Sequence, residues 1–167
     1  MFLTIKQFAD AWKQESDGTR KILAALTDES LAKQIAQDHR TIGRLAWHIV
    51  QTLPEMAGGT GLKIEGPEMN QPVPISVKEI QDAYDKAAQS LYDQVVSNWT
   101  DDTLQIEDEM YGQKWKRGLS LWGVMIHEIH HRAQMTVLMR QAGLKVPGLY
   151  GPSYEEWAAY GGKPPAI

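Results

Sequence analysis

The sequence predicts an all-α bundle of four main helices. Three observations lead there: four long segments carry apolar residues at steps of three and four, capping signals mark their ends, and no convincing pair of strands competes with them. The 167 residues suit one domain, spanning 1–167, large enough to bury a core without covalent staples.

Thr4-Ile5-Lys6-Gln7 reads as a capping box that opens the first helix, followed by Ile5, Phe8, Trp12, Ile22, Leu23 and Leu26 at helical intervals. Gly18 weakens its middle, and one long helix is still the expectation. Thr27 to Ser30 should turn the chain through a short helical segment. A second helix is expected from near Arg40, with Ile42, Leu45, Ile49 and Leu53 as its apolar stripe and Pro54 near its end. Residues 58–75, crowded with glycine and proline, form a long loop, either a lid or a plain crossover.

Ser76-Val77-Lys78-Glu79 reads as a second capping box, opening a third helix through Ile80, Tyr84, Ala87, Leu91 and Val95. Residues 103–116 partly alternate around Tyr111-Gly112, which suits a short hairpin or an irregular extended loop. The fourth helix is expected from Leu119-Ser120 to Gln141-Ala142, with Gly143 as a left-handed cap and Pro147 beyond. Its apolar residues cover nearly the whole circumference, which predicts deep burial. Ser153-Tyr154-Glu155-Glu156 reads as a third box, starting a short terminal helix before Gly161-Gly162.

Composition narrows the chemistry. With no cysteine there is no disulfide, no thiolate nucleophile and no sulfur ligand, so a transition-metal site has to use imidazole and carboxylate. The net charge is -4 and the basic residues are scattered, which argues against nucleic-acid binding. No stretch approaches the roughly 18 apolar residues of a spanning helix, and the N-terminus lacks a leader pattern; a cytoplasmic protein without membrane association is expected.

His127-Glu128-Ile129-His130-His131 sets three of the five histidines on the most apolar helix. Residues four apart on a helix lie about 40° apart around the axis with side chains roughly 5 to 6 Å apart, so His127 and His131 can share an ion while His130 points elsewhere. A third ligand has to come from another helix. His48, at the edge of the second helix's core stripe, is the natural candidate; His39, among charged residues, is expected in solvent. Three imidazoles with open positions suit Zn(II), Ni(II) or another late first-row ion. The plainer reading is that these are hydrogen-bonded core histidines.

The same residues match H-E-x-x-H, the motif in which Glu128 would serve as general base of a zinc protease, with Glu155 or Glu156 as a downstream carboxylate ligand. The continuation with Gly and a third His is absent, and so is a strand to hold a peptide.

Three stretches resemble the DinB/YfiT-like family of metal-dependent enzymes: Arg40-Thr41-Ile42-Gly43-Arg44-Leu45-Ala46-Trp47-His48-Ile49, His127 through Gln134, and Val146-Pro147-Gly148-Leu149-Tyr150-Gly151-Pro152-Ser153. Ala133 stands where such sequences often have Gly. The resemblance implies an up-down-down-up four-helix bundle with a long crossover, often a homodimer, with a metal triad at His48, His127 and His131. It also implies transferases or isomerases in which the metal activates a low-molecular-weight thiol such as bacillithiol, mycothiol or glutathione. With no cysteine here, the nucleophile would be a cosubstrate thiol or water. Glu128 and Gln134 are candidates to orient the ligands, a surface charge being the plainer reading of Glu128. Tyr111, Tyr150 and Trp157 are candidates to reach the pocket, with simple packing as the plainer reading. The leading expectation is therefore a metal-dependent thiol S-transferase acting on a small molecule. The alternative is a noncatalytic metal- or ligand-binding stress-response protein.

Overall fold

The computed structural model describes residues 1–166. Four helices carry the fold: α1 (Ile5–Ala24), α2 (Ile42–Gly58), α3 (Val77–Asn98) and α4 (Arg117–Gln141). A two-stranded antiparallel ribbon, β1 (Glu107–Met110) and β2 (Gln113–Lys116), links α3 to α4.

The helix directions emerge from contacts between named residues. Trp12 donates to the Ala88 carbonyl while Gln81 donates to that of Leu23, so α1 and α3 run antiparallel. Gly43, at the start of α2, lies against Leu31, and the Val77 N–H at the start of α3 donates to Asp28, so α2 and α3 both set out from the turn at Asp28–Ala32. They are parallel, and residues 59–76 have to cross the length of the bundle. With α4 beginning beside Phe2 and packed most extensively on α2, the order is up, down, down, up.

Thr4 and Gln7 make the reciprocal bonds of a capping box, and α1 continues through Gly18. A Cβ there would stand 2.9 Å from Nη1 of Arg132, so the glycine makes room for a side chain arriving from α4. α4 ends as expected on Gly143, at φ 75°, with Leu144 N–H bonded to the Met139 carbonyl and Gly143 N–H to that of Arg140.

Several expectations need correction. α2 starts at Ile42, capped by Thr41, rather than near Arg40, and runs one turn past Pro54 to Gly58. Ser76 is the N-cap of α3, but its hydroxyl makes no capping bond, and the Val77 N–H donates to Asp28 from the preceding turn. At Ser153 only half a box forms, with Glu156 reaching back to the Ser153 N–H, and the expected short terminal helix is a 3-10 helix at Trp157–Tyr160, directly before Gly161. Within the 103–116 segment a 3-10 turn ending at Gln105 precedes a hairpin whose corner residues Tyr111 and Gly112 both have positive φ, 53° and 76°, as a two-residue turn requires. α4 begins at Arg117, because β2 runs directly into it.

α4 is also less buried than its composition suggested. Trp122, Ile126 and Val137 are exposed at 37%, 45% and 53%, whereas Glu128, His131 and Arg132 are buried at 1%, 8% and 2%. Inward polar residues displace apolar ones outward on the same helix. The 58–75 loop is held down rather than hinged: Trp47 donates to the Gln71 carbonyl, Gln51 to those of Glu68 and Gln71, and Ser90 accepts from Glu65 N–H.

Candidate metal centre

α2 and α4 bring His48, His127 and His131 together. The ring centroids are 5.0 Å apart for His48 and His127, 4.7 Å for His48 and His131, and 4.5 Å for His127 and His131. One ligand nitrogen from each lies within 4.8 Å of the other two. His48 comes from the middle of α2, and the i,i+4 pair from the middle of α4.

The rings fit a cation. Nε2 of His127 and Nε2 of His131 face each other at 3.2 Å. Two nitrogens bound to one zinc ion at 2.0–2.1 Å and a tetrahedral angle are about 3.3 Å apart. The tautomer of His131 is set by Gln134, whose Oε1 accepts from Nδ1–H at 2.7 Å while its amide nitrogen donates to Nε2 of His130 at 3.1 Å. That leaves a bare lone pair on His131 Nε2, so either a proton on His127 or a shared cation has to lie between the two rings. Nδ1 of His48 and Nδ1 of His127 are buried without a hydrogen-bond partner. A metal ion can therefore be held here.

Electrostatics favours the neutral rings that ligation needs. Burial, reinforced by the charge of His131 and then of Arg40, pushes His48 down to about 4. Burial with His131 and His130 does the same to His127, also to about 4. Burial lowers His131 too, against the opposing bond from Gln134. His131 opens on a cleft of about 410 Å³, lined also by His39, Arg40, Leu45, Gln134 and Val137.

Other sequence candidates lie elsewhere. His39 is exposed, as expected, at the rim of this cleft, and His130 is exposed beside Gln134. Glu128 is neither a surface charge nor a partner of the histidines. Its Oε1 accepts from Thr19 at 2.5 Å and from Tyr84 at 2.7 Å, on the side of α4 that faces α1 and α3. Glu155 pairs with Arg140, and Glu156 accepts from the Gly148 and Ser153 N–H groups. The H-E-x-x-H protease scheme thus loses both its base and its carboxylate ligand. Tyr111, at the hairpin corner, bonds Glu55 of α2, Tyr150 bonds Arg132 and Glu15, and Trp157 packs beside Gly162. None of these three lines the cleft at His131.

The polar core behind α4 was not foreseen. Arg132 donates to the Glu15 carboxylate at 2.6 Å, to the Glu15 carbonyl at 2.8 Å and to Thr19 at 3.2 Å. Its sequence signal is a second i,i+4 pair, Glu128 and Arg132, each one residue after a histidine of the first.

A model of the DinB family matches residues 1–165. The chain belongs to the DinB family. An uncharacterized protein, YrdA, of Bacillus subtilis (strain 168) is 44% identical over 167 residues, covering 100% of both chains. The crystal structure of a DinB-like protein from Bacillus cereus ATCC 10987 is 46% identical with a TM-score of 0.87, over 90% of this chain and 100% of that one. A second DinB-like protein, YjoA of Bacillus subtilis, aligns over 86% of this chain and 97% of its own at 16% identity and a TM-score of 0.66, a likeness of fold alone.

Proposed function

We propose that this DinB-family protein is a metal-dependent transferase of the thiol S-transferase type, with His48, His127 and His131 as ligands of one divalent ion, Zn(II) or Ni(II). The observation that carries the reading is the opposed pair of Nε2 atoms, 3.2 Å apart, with the His48 ring beside both. When bound, the ion would stabilise a thiolate over a thiol and so supply a nucleophile at neutral pH. The chain's own contributions are threefold. α2 and α4 fix the three rings, Gln134 holds the His131 tautomer, and the cleft walls Leu45 and Val137 keep water from one side of a bound molecule. Without cysteine the thiol has to be a small cosubstrate.

Protein purified without added metal should contain close to one ion per chain, and His48→Ala should reduce this to near zero. Full metal content in the variant would exclude the triad. Turnover of a generic electrophile with bacillithiol, mycothiol or glutathione, abolished by chelation, is the expected activity. A noncatalytic metal- or ligand-binding role has one observation in its favour: among the described residues, no carboxylate lines the cleft to serve as a general base. Tight thiol binding without turnover would decide for it. A homodimer, expected from the family, is tested by sedimentation.

A further inference from the structure

The cleft beside His131 contains a cation that no described residue neutralises. Arg40, immediately before the N-cap of α2, lines it. The other arginines all have protein partners: Arg20 with Asp17 and Asp85, Arg44 with Gln51, Arg117 with Asp108, Arg132 with Glu15 and Arg140 with Glu155. Arg40 makes no ion pair among the described residues. In a chain of net charge -4, an exposed guanidinium that makes no ion pair, at a cleft with no carboxylate among its described lining residues, is placed to receive an anion. The walls add a second requirement, because Leu45 and Val137 offer hydrocarbon rather than hydrogen bonds.

We propose that Arg40 selects small organic carboxylates with an apolar body, held with the carboxylate on the guanidinium and the other end toward His131. The placement of that other end rests on reading the histidines as a metal site; the carboxylate preference does not. A carboxylate docked on Arg40 would be carried by either the thiol or the electrophile.

Two probe pairs separate these sources by calorimetry: 3-mercaptopropionate against its amide on zinc-loaded protein, and 4-phenylbutyrate against its amide on both zinc-loaded and metal-free protein. The acid of at least one pair should bind about tenfold more tightly than the amide. Arg40→Gln should remove that preference while leaving amide binding unchanged. Arg140→Gln, whose partner Glu155 lies outside the cleft, should retain it. Preference in the thiol pair alone assigns the carboxylate to the cosubstrate, and preference in the aryl pair alone assigns it to the electrophile. Equal binding of acid and amide in both pairs, or a preference that survives Arg40→Gln, overturns the proposal. Should the protein bind no zinc, the metal reading fails, and the aryl pair on metal-free protein still decides whether Arg40 is the receptor.

Discussion

Two faces of α4 carry the same kinds of polar residue, one position apart, and treat them in opposite ways. His127 and His131 face α2, with ring nitrogens set against one another and the Nδ1 of His127 left unpartnered. Glu128 and Arg132 face α1 and α3: Arg132 is bonded to Thr19, Glu15 and Tyr150, and Glu128 takes bonds from Thr19 and Tyr84 on Oε1 while its Oε2 stays buried without a partner. Polar groups bonded from other elements close a face and support the fold, whereas ring nitrogens that meet only one another leave a face open to something that binds. A step of one residue, about 100° of helix rotation, separates the two roles.

The closed face can be broken first. Arg132→Met leaves Glu15, Thr19 and Tyr150 without their shared partner, and loss of one member of such a buried pair costs about 3–5 kcal/mol. A fall in Tm on the order of 10 °C in thermal melts is expected, with metal content per folded chain unchanged. Equal loss of metal and stability would mean that the two faces are coupled.

Acidity sharpens the contrast next. Burial pushes the Glu128 carboxyl up to about 7 despite the bonds from Thr19 and Tyr84. A carboxyl that holds its proton more tightly folded than unfolded costs nothing below its ordinary value near 4.5, and destabilises increasingly as pH rises to about 7. The full difference is about 3 kcal/mol. Melts of metal-free protein should therefore show wild type losing ground to Glu128→Gln between pH 5 and 8. Parallel curves for the two proteins would show that Glu128 is ionised throughout.

The open face gives the smallest effect. Gln134→Ala frees the His131 ring without exposing the core, so metal affinity should weaken about 10- to 100-fold in competition with a chelator. The Tm of metal-free protein should stay where it is. An unchanged affinity would mean that packing alone orients the ring.

The open face was legible in the sequence and the closed one was not. His127 and His131 stand out because imidazoles four apart on an apolar helix need a reason, and His48 is singled out by its place beside the α2 stripe. Glu128 and Arg132 have the same spacing, but charged side chains on a helix ordinarily face water. Apolar residues all around α4 left no periodicity to say otherwise, and only the folded bundle shows Trp122, Ile126 and Val137 turned outward in exchange. Arg40 was hidden for another reason. It served as a marker for the start of α2, and nothing local tells that a guanidinium outside the helix will find no carboxylate. The start of α4 lay two residues before the expected Leu119 because β2 runs straight into the helix.

The crossover from α2 to α3 is written in a place other than its own residues. Trp47 and Gln51 reach out from α2 and grip the main-chain oxygens of Glu68 and Gln71, whose side chains are exposed. A helix that reads backbone instead of side chains gives residues 68–71 of the strap a defined path without constraining their letters, while Leu62 and Gly66 are held by their own packing. Drift in residues 68–71 should be tolerated, whereas the identities that guide the strap sit on the helix that also presents His48.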